Sequence, residues 1–373
     1  MGFLGTGFGR RRSSVPATIF GFLFLFLSTI GLWLNEGRSV DQMDALYEMQ
    51  QAIVTLPDTK YQADLDNKPI LIQGKVKAIS PVEDPEFKIS TNGLVLKRTV
   101  EMYQWKQMAR DEARNETSYS YKKEWSSEPI DSSNFKDPEA HYNPPFPYPN
   151  KSFTTEAKIG DYTLSNEVLN KISTSKVLGL SSFPHKINDA INHKSFLFMG
   201  KDITAPTLGD VKISYKYAPE GDYSIAAKAS KQLLINYTTE NNKSLSFVRN
   251  GIVSVSKIFN DEQSNNTALT WALRFAGLFV MFLSFFTMLR FFTAFSDYIP
   301  IVGPLLNGVN SIIAGVLTLI FGSLVIAIAW FSARPMLSIS ILIIGGVVAF
   351  VLGKFAKKRK GAETQSASLE TSP

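Results

Sequence analysis

The chain has 373 residues, a formal net charge of +6 and no cysteine. The lack of cysteine excludes disulfides, thiolate metal sites and a cysteine nucleophile. Much of the excess positive charge lies at the two ends, in Arg10, Arg11, Arg12, Lys354, Lys357, Lys358, Arg359 and Lys360. Basic ends beside apolar segments are typical of contact with lipid headgroups. The sequence lacks the basic face interleaved with aromatic residues that would indicate nucleic-acid binding.

The first predicted elements are a disordered tail over 1–15 and a transmembrane helix over 16–34. No charge occurs in 17–34, and about 20 apolar residues span a bilayer. A cleaved signal peptide is the alternative, but the end of the segment lacks the small residues of a cleavage site. We therefore expect an uncleaved anchor, followed over 40–55 by a short amphipathic helix beside the membrane.

Four residues at the outer membrane boundary, Asn35, Glu36, Gly37 and Arg38, combine an amide, a carboxylate and a guanidinium. They could pair with the following domain or with the turn near Arg334, and so set the angle between span and domain. The structural interpretation is a helix C-cap in which Gly37 has a positive φ. A ligand site is the alternative, and we favour the structural role.

A polar, extracytoplasmic or lumenal domain is predicted over 35–268. Strand-like runs dominate it, at 69–78, 94–107, 117–126, 209–218, 223–236 and 244–257. In the fourth run apolar residues alternate with Lys212, Ser214 and Lys216, which predicts a half-buried strand. A helical piece near 164–174 makes the fold class α+β with strands dominant.

The C-terminal third returns to membrane composition. It predicts transmembrane helices over 269–292, 311–331 and 336–353, with a cytoplasmic loop or interfacial segment over 293–310 and a basic cytoplasmic tail over 354–373. The chain is thus predicted to be a multi-pass membrane protein with four spans. Because basic residues favour the cytoplasmic side, both tails are expected there and the β-rich domain on the opposite side.

Few residues indicate chemistry. The three histidines, His141, His185 and His193, match no metal-ligand spacing, and the acids Asp111, Glu112 and Glu124 are typical of a solvated surface. No hydrolase, metalloprotease or phosphate-loop motif occurs. We therefore assign no catalytic, cofactor-binding or metal-binding residue.

An ordered set of short motifs runs through most of the chain. It includes Val100-Glu101-Met102-Tyr103-Gln104-Trp105, Tyr119-Ser120-Tyr121, Glu124-Trp125, Asn143-Pro144, Thr270-Trp271, Leu273-Arg274, Met288-Leu289-Arg290 and Arg334-Pro335. In this set the chain resembles the transmembrane protein 43 family, also called LUMA. The motif residues, which we expect to be structural, are Asn35, Glu36, Gly37, Arg38, Glu101, Tyr103, Trp105, Trp125, Trp271, Arg274, Arg290, Arg334 and Pro335.

The resemblance implies four spans, a large lumenal domain and self-association, with emerin and lamins as partners of eukaryotic members in the endoplasmic reticulum and inner nuclear membrane. Bacterial members would place the domain in the periplasm of the inner membrane. We expect a non-enzymatic scaffold that contacts membrane lipids, forms a homo-oligomer and binds other membrane or envelope proteins. The alternatives are an envelope enzyme, a transporter component or a ligand sensor.

Overall fold

The computed structural model describes residues 14–111, 117–293, 303–334, 339 and 343. The chain divides into two compact units. We call Glu48–Phe259 the β-rich unit, and Met1–Tyr47 together with Asn260–Pro373 the helical unit. The predicted mixture of helices and strands, with a large β-rich domain, is confirmed.

Three long helices are α1 (Ser14–Ala52), α3 (Val255–Thr293) and α4 (Gly303–Ala333). By length and composition each could cross a membrane, over Ile19–Ala52, Val255–Leu289 and Asn310–Ala333. The first three predicted spans fall within these helices. Of the fourth, 336–353, the structure describes Ile339 and Ile343 alone, so that span lies outside the described residues.

The helix α1 continues through the membrane boundary without a break. Gly37 lies inside it and does not have a positive φ, so the predicted C-cap at Gly37 is wrong, and 40–52 belong to the same helix. Glycine within a helix costs about 1 kcal/mol relative to alanine. The good helix formers that follow, and the partners of Asn35, Glu36 and Arg38 described below, offset that cost.

Two further predictions are corrected at the starts of α3 and α4. The expected strand over 244–257 ends at Asn250, and α3 begins at Val255. Residues 303–310, expected to be a loop or interfacial segment, form the first turns of α4. Pro304 is the second residue of that helix, where its missing N–H removes no intrahelical hydrogen bond.

The first sheet of the β-rich unit has seven strands. They are β1 (Val54–Thr55), β2 (Pro69–Ala78), β8 (Ala157–Ile159), β9 (Tyr162–Leu164), β16 (Leu233–Ile235), β15 (Gly221–Ser230) and β19 (Phe247–Asn250), in sheet order. Since β2 also pairs with β15, strands β2, β8, β9, β16 and β15 close into a ring. Its interior is a core that includes Ile70, Ile72, Ile159 and Ile225.

The second sheet has eight strands. Six follow the order β11 (Lys186–Ile187), β12 (Ala190–Asn192), β13 (Leu197–Met199), β14 (Val211–Pro219), β5 (Gly93–Asp111) and β6 (Thr117–Ser126). Strand β10 (Lys176–Val177) pairs with β14, and β7 (Lys151–Thr154) pairs with β5. The predicted alternation in β14 is confirmed, because Val211, Ile213 and Tyr215 are buried.

The smaller elements complete the β-rich unit. They are the hairpin β3 (Val82–Asp84) and β4 (Ile89–Thr91), the pair β17 (Tyr237–Thr238) and β18 (Ser244–Leu245), the short helix α2 (Asn166–Leu169), and 3-10 turns at Ala63–Leu65 and Ser132–Asn134. The predicted helical piece near 164–174 is therefore confirmed as one short helix. Ser165 caps it by accepting a hydrogen bond from the Val168 N–H.

Candidate functional site

The charged residues of the membrane boundary meet in the helical unit. Arg274 Nε and Nη2 donate to the two carboxylate oxygens of Glu36, at 2.7 and 2.6 Å. Such a bidentate pair is among the stronger charge-assisted contacts. The Glu36 side chain is 1% exposed and that of Arg274 is 19% exposed. The pair therefore joins α1 to α3 with its carboxylate fully withdrawn from solvent.

Arg38 lies two residues after Glu36 in α1 and donates only to neutral oxygens among the described residues. Its Nη1 donates to Asn266 Oδ1 at 2.9 Å, and its Nη2 donates to Thr270 Oγ1 at 2.9 Å and to Asn35 Oδ1 at 3.2 Å. Its Nε is buried and has no hydrogen-bond partner within the described ranges. The positive charge of Arg38 is thus solvated by amide and hydroxyl groups.

We call this group the polar layer: Asn35, Glu36, Arg38 and Ser39 of α1 with Asn266, Thr270 and Arg274 of α3. The α3 members are spaced four residues apart, so they share one helix face. Asn35 Nδ2 donates to the Thr270 carbonyl at 3.1 Å, and Asn266 Nδ2 donates to that of Ser39 at 2.9 Å. Intramembrane polar groups stabilise helix association when they find such partners.

Close packing continues on the apolar side of the polar layer. Leu32 is 1% exposed and Met281 is fully buried. A Cβ added at Gly277 would come within 2.7 Å of Leu32 Cδ2, so a larger residue there would displace the buried Leu32 side chain. Trp271, in contrast, is 51% exposed and lies under the Arg274 guanidinium, 4.8 Å from its carbon atom.

Three other motif residues lie at the ends of the helices. Arg290 is in α3, and its side chain is outside the described residues. Arg334 follows α4, with its guanidinium carbon 5.4 Å from the Trp330 ring, and Pro335 is outside the described residues. The partners described for Glu36 and Arg38 lie in α1 and α3, and the turn after Arg334, residues 335–338, lies outside the described residues.

A second group of motif residues lies on the outer face of the second sheet. Tyr103 pairs with Trp125 and Trp105 with Lys123 across β5 and β6. Met102 is 1% exposed and faces the core, so its neighbour Tyr103 faces away from that core. The Tyr103 and Trp125 ring centroids are 5.3 Å apart.

Lysine side chains cover these rings. Lys123 Nζ is 4.7 Å from the Trp105 ring centroid, and Lys212 Nζ is 4.0 Å from that of Trp125. Both contacts are in the range of cation–π attraction. We call Tyr103, Trp105, Lys123, Trp125 and Lys212 the aromatic–lysine face. Glu101 borders it, because it pairs with Lys212 across β5 and β14.

Two of the histidines, His141 and His193, extend this surface. His141 stacks on Tyr121 with ring centroids 3.5 Å apart and meets Trp105 edge-on at 4.8 Å. His193 stacks on Phe196 at 5.4 Å. In the part of the chain that the structure describes, no three His, Asp or Glu side chains converge as metal ligands.

Asn143 holds the loop before the proline run against this sheet. Its Oδ1 accepts from the Trp105 N–H at 2.7 Å, and its Nδ2 donates to the carbonyls of Trp105 and Ile130, at 2.9 and 3.1 Å. The loop borders a groove of about 720 Å³, and the residues that line the groove include Gln104, Asn143 and Phe146. Asn143-Pro144 therefore positions a surface next to the aromatic–lysine face.

A buried charged cluster in the β-rich unit has no counterpart among the predicted site residues. Arg98 Nη1 donates to Asp84 Oδ2 at 2.9 Å and to Glu86 Oε2 at 2.6 Å, and Tyr215 donates to Asp84 at 2.8 Å. Arg98 and Asp84 are at most 1% exposed. Tyr215 is 131 residues from Asp84 in the chain, so no spacing indicates the cluster.

The titration of this cluster follows from burial and charge. Burial, then the hydrogen bond to Asp84, raises the pKa of Tyr215 well above its ordinary value near 10. Burial lowers the pKa of Arg98, but its hydrogen bond to Glu86 and the charges of Asp84 and Glu86 outweigh that effect, and the pKa is raised. Arg98 is thus charged and Tyr215 neutral, which fits a structural ion pair linking the β3–β4 hairpin to β5 and β14.

Of the three acids considered for acid–base chemistry, the structure describes the side chain of Glu124. Glu124 pairs with Lys106 at 2.7 Å and with Lys122 at 2.6 Å on the surface of the β5–β6 hairpin. These hydrogen bonds hold the pKa of Glu124 below its usual range. The Asp111 side chain and Glu112 lie outside the described residues.

The chain is similar in sequence to known proteins over the region that contains most of the motifs described above. The family described as Transmembrane protein 43 matches residues 102–335. The chain is 29% identical over 357 residues to Transmembrane protein 43 of Mus musculus and of Homo sapiens, covering 88% of each chain. It is 26% identical over 351 residues to the Transmembrane protein 43 homolog of Drosophila melanogaster, covering 90% of this chain and 93% of the homolog.

No solved structure matches the chain. The family match begins inside the motif that carries Tyr103 and Trp105 and ends at Pro335, so it includes both the aromatic–lysine face and the α3 side of the polar layer. It covers more than half of the chain. This protein belongs to the transmembrane protein 43 family.

Proposed function

We propose that this protein is a non-enzymatic membrane scaffold. Its helices anchor it and associate with those of a second copy, and its β-rich unit binds other membrane or envelope proteins. The observation that carries this proposal is the aromatic–lysine face, a set of rings and cations on the side of the second sheet that faces away from the core.

Such a face has the composition of a protein-binding surface. Tryptophan and tyrosine contribute most of the binding energy in many interfaces, since they bury large areas at little entropic cost. Trp105 and Trp125 are partly exposed, and Tyr119 and Met108, farther along the same hairpin, are 40% and 39% exposed. The two lysines favour a partner with acidic groups around its own apolar contact.

The proposed orientation rests on the basic termini. Arg10–Arg12 and the cluster around Lys357–Lys360 favour a cytoplasmic N-terminus and C-terminus, which four spans satisfy. The β-rich unit would then be lumenal in the endoplasmic reticulum or inner nuclear membrane of a eukaryotic cell. In a bacterium it would be periplasmic, with the spans in the inner membrane.

The proposed self-association uses α4. The space beside Gly322 is already filled by Leu278 of the same chain, because a Cβ added at Gly322 would lie 2.3 Å from Leu278 Cδ2. Gly315 has no atom within 4 Å of an added Cβ, and its neighbours Ile312 and Leu319 are 69% and 66% exposed. Small residues on an open apolar face support helix association in membranes. Gly345 and Gly346, which we also expect to favour it, lie outside the described residues.

Crosslinking in native membranes, followed by mass spectrometry of the crosslinked proteins, tests the proposal. The double substitution Trp105→Ala and Trp125→Ala should reduce crosslinks to other proteins by at least about tenfold, as expected for interface hot spots. Crosslinks between copies should persist, since they depend on α4. Ile79→Ala, which removes a 55% exposed side chain next to the first sheet, is the matched control.

The surface substitution Lys123→Glu provides a second measurement if the double variant folds poorly. It leaves both rings in place and reverses one charge of the face, so crosslinks to other proteins should again fall. Unchanged crosslinks in both variants would contradict the proposed binding face. A monomer in mild detergent, with no partner recovered from membranes, would contradict the scaffold function as a whole.

A further inference from the structure

A second groove of about 580 Å³ lies between α1 and α3 in the helical unit. Asn35 and Arg38 line one end of it, and Leu27 and Val280 line the other. Gly31 forms part of the α1 wall, and no atom lies within 4 Å of a Cβ added there. The groove is therefore polar at one end and apolar and open along the rest of its length.

The polar end holds a positive charge that has no negative partner in the described part of the chain. Arg38 donates three hydrogen bonds, all to neutral oxygens, and its Nε is buried without an acceptor among the described residues. The neighbouring carboxylate, Glu36, uses both oxygens for Arg274. A guanidinium has five N–H donors, so with three in use and Nε buried, one Nη1 N–H and the charge of Arg38 remain for an anion.

The dimensions of the groove match one lipid chain. Leu27 and Arg38 are eleven residues apart in α1, which at 1.5 Å per residue is about 16 Å along the helix axis. Half the thickness of a bilayer's hydrocarbon core is about 15 Å. The apolar run of α1 ends at Leu34, so Arg38 lies at the level expected for headgroups.

We propose that this groove binds one phospholipid with an anionic headgroup. The headgroup phosphate lies beside Arg38, and one acyl chain extends past Gly31 toward Leu27. A membrane phospholipid combines an anion with an apolar chain of this length, and it is present at high concentration where α1 crosses the bilayer. This site is separate from protein binding at the aromatic–lysine face, so either proposal can fail without the other.

Two substitutions allow a matched test of the apolar part. Gly31→Leu adds a side chain to the α1 wall of the groove, where its Cβ meets no atom within 4 Å, and it changes none of the hydrogen-bond partners of Arg38. Ala272→Leu adds an apolar side chain at an exposed position of α3 that does not line the groove, and serves as the control. Gly277 is unsuitable, since a side chain there would collide with Leu32.

The experiment uses the full chain, purified in mild detergent and incubated with phosphatidylglycerol or with phosphatidylcholine of the same acyl composition. Native mass spectrometry counts the bound lipids. The unmodified protein should retain phosphatidylglycerol about fivefold better than phosphatidylcholine, as expected for one basic side chain near an anionic headgroup. Arg38→Gln should remove that preference, and Arg38→Lys should keep most of it.

Gly31→Leu should lose one bound lipid of either headgroup, whereas Ala272→Leu should bind as the unmodified protein does. If Arg38→Gln does not fold, as judged by size-exclusion chromatography and circular dichroism, the comparison of Gly31→Leu with Ala272→Leu decides. Equal lipid binding by Gly31→Leu and Ala272→Leu would overturn the proposal. An unchanged phosphatidylglycerol preference in folded Arg38→Gln, or no bound lipid in the unmodified protein, would overturn it as well.

Discussion

The positive charges of the two arginines in the polar layer are compensated in different ways. Arg274 forms a bidentate pair with the buried Glu36, whereas Arg38 is surrounded by neutral acceptors. Removing one member of a buried pair leaves the other charge uncompensated, which costs more than losing the pair as a whole. If Glu36 and Arg274 form an ion pair that joins the two helices, removing one of them should therefore cost more stability than removing both.

Glu36→Leu should therefore lower the free energy of unfolding by about 3 kcal/mol, since the Arg274 charge loses its partner. Replacing both residues, as in Glu36→Leu with Arg274→Met, should recover most of this loss. The measurement is a double-mutant cycle on equilibrium unfolding in mixed micelles. Thr267→Ala, on an exposed position of α3, is the control. Strict additivity of the two single losses would contradict a direct coupling.

Tyr215 makes the stability of the β-rich unit depend on alkaline pH. Its pKa is raised in the folded state by burial and by Asp84, whereas an unfolded tyrosine ionises near pH 10. Below pH 10 both states are protonated and the stabilisation is complete. Above pH 10 the unfolded state loses its proton first, so stability falls as the pH rises toward the folded-state pKa.

The stability advantage of the unmodified protein over Tyr215→Phe should thus shrink above pH 10, by up to about 1.4 kcal/mol per pH unit. Other titrating groups cancel in the difference between the two proteins. Denaturant unfolding at a series of pH values from 8 to 11 measures it. Two curves that stay parallel across this range would show that Tyr215 ionises as readily in the folded protein as in the unfolded chain.

At the scale of elements, the continuity of α1 is the main departure from the sequence prediction. Asn, Glu, Gly and Arg after an apolar stretch are a common helix end, but here each polar side chain finds a partner that lies in α1 or α3. Because these polar side chains have partners within the helices, the helix does not need to end at Gly37, and the following residues favour a helix. The predicted span and residues 40–52 therefore form one continuous helix.

Gly37→Ala distinguishes a continuous helix from a capped one. In a continuous helix alanine should stabilise by about 0.5–1 kcal/mol, since it lowers the entropy of the unfolded chain and no atom lies within 4 Å of its Cβ. At a C-cap with a positive φ the same change would destabilise. Thermal unfolding of the full chain in detergent measures the sign, and Gly179→Ala, an open position outside the helices, is the reference.

At the scale of the whole molecule, the proposed orientation of the β-rich unit is directly testable. In sealed vesicles with the cytoplasmic side outward, added protease should leave Glu48–Phe259 intact and remove a tag at the C-terminus, because the basic termini favour the cytoplasm. Detergent should make the unit accessible. Cleavage within it before detergent is added would contradict the proposed topology.

The sequence by itself determined the class of the protein, its three long helices and its five longest strands, β2, β5, β6, β14 and β15. These features follow from local composition and periodicity: a bilayer requires a charge-free stretch of about 20 residues, and a half-buried strand requires alternation such as that of Val211, Ile213 and Tyr215. Both patterns are properties of a short segment and need no knowledge of its neighbours.

Only the tertiary structure decided which charges meet. Glu36 and Arg274 are 238 residues apart, and Asp84 and Tyr215 are 131 apart. A charged residue looks alike in the sequence whether it faces solvent or a buried partner, because its partner is set by how distant elements pack. The same is true of Arg38, whose neutral surroundings and adjoining groove exist only once α1 and α3 lie side by side.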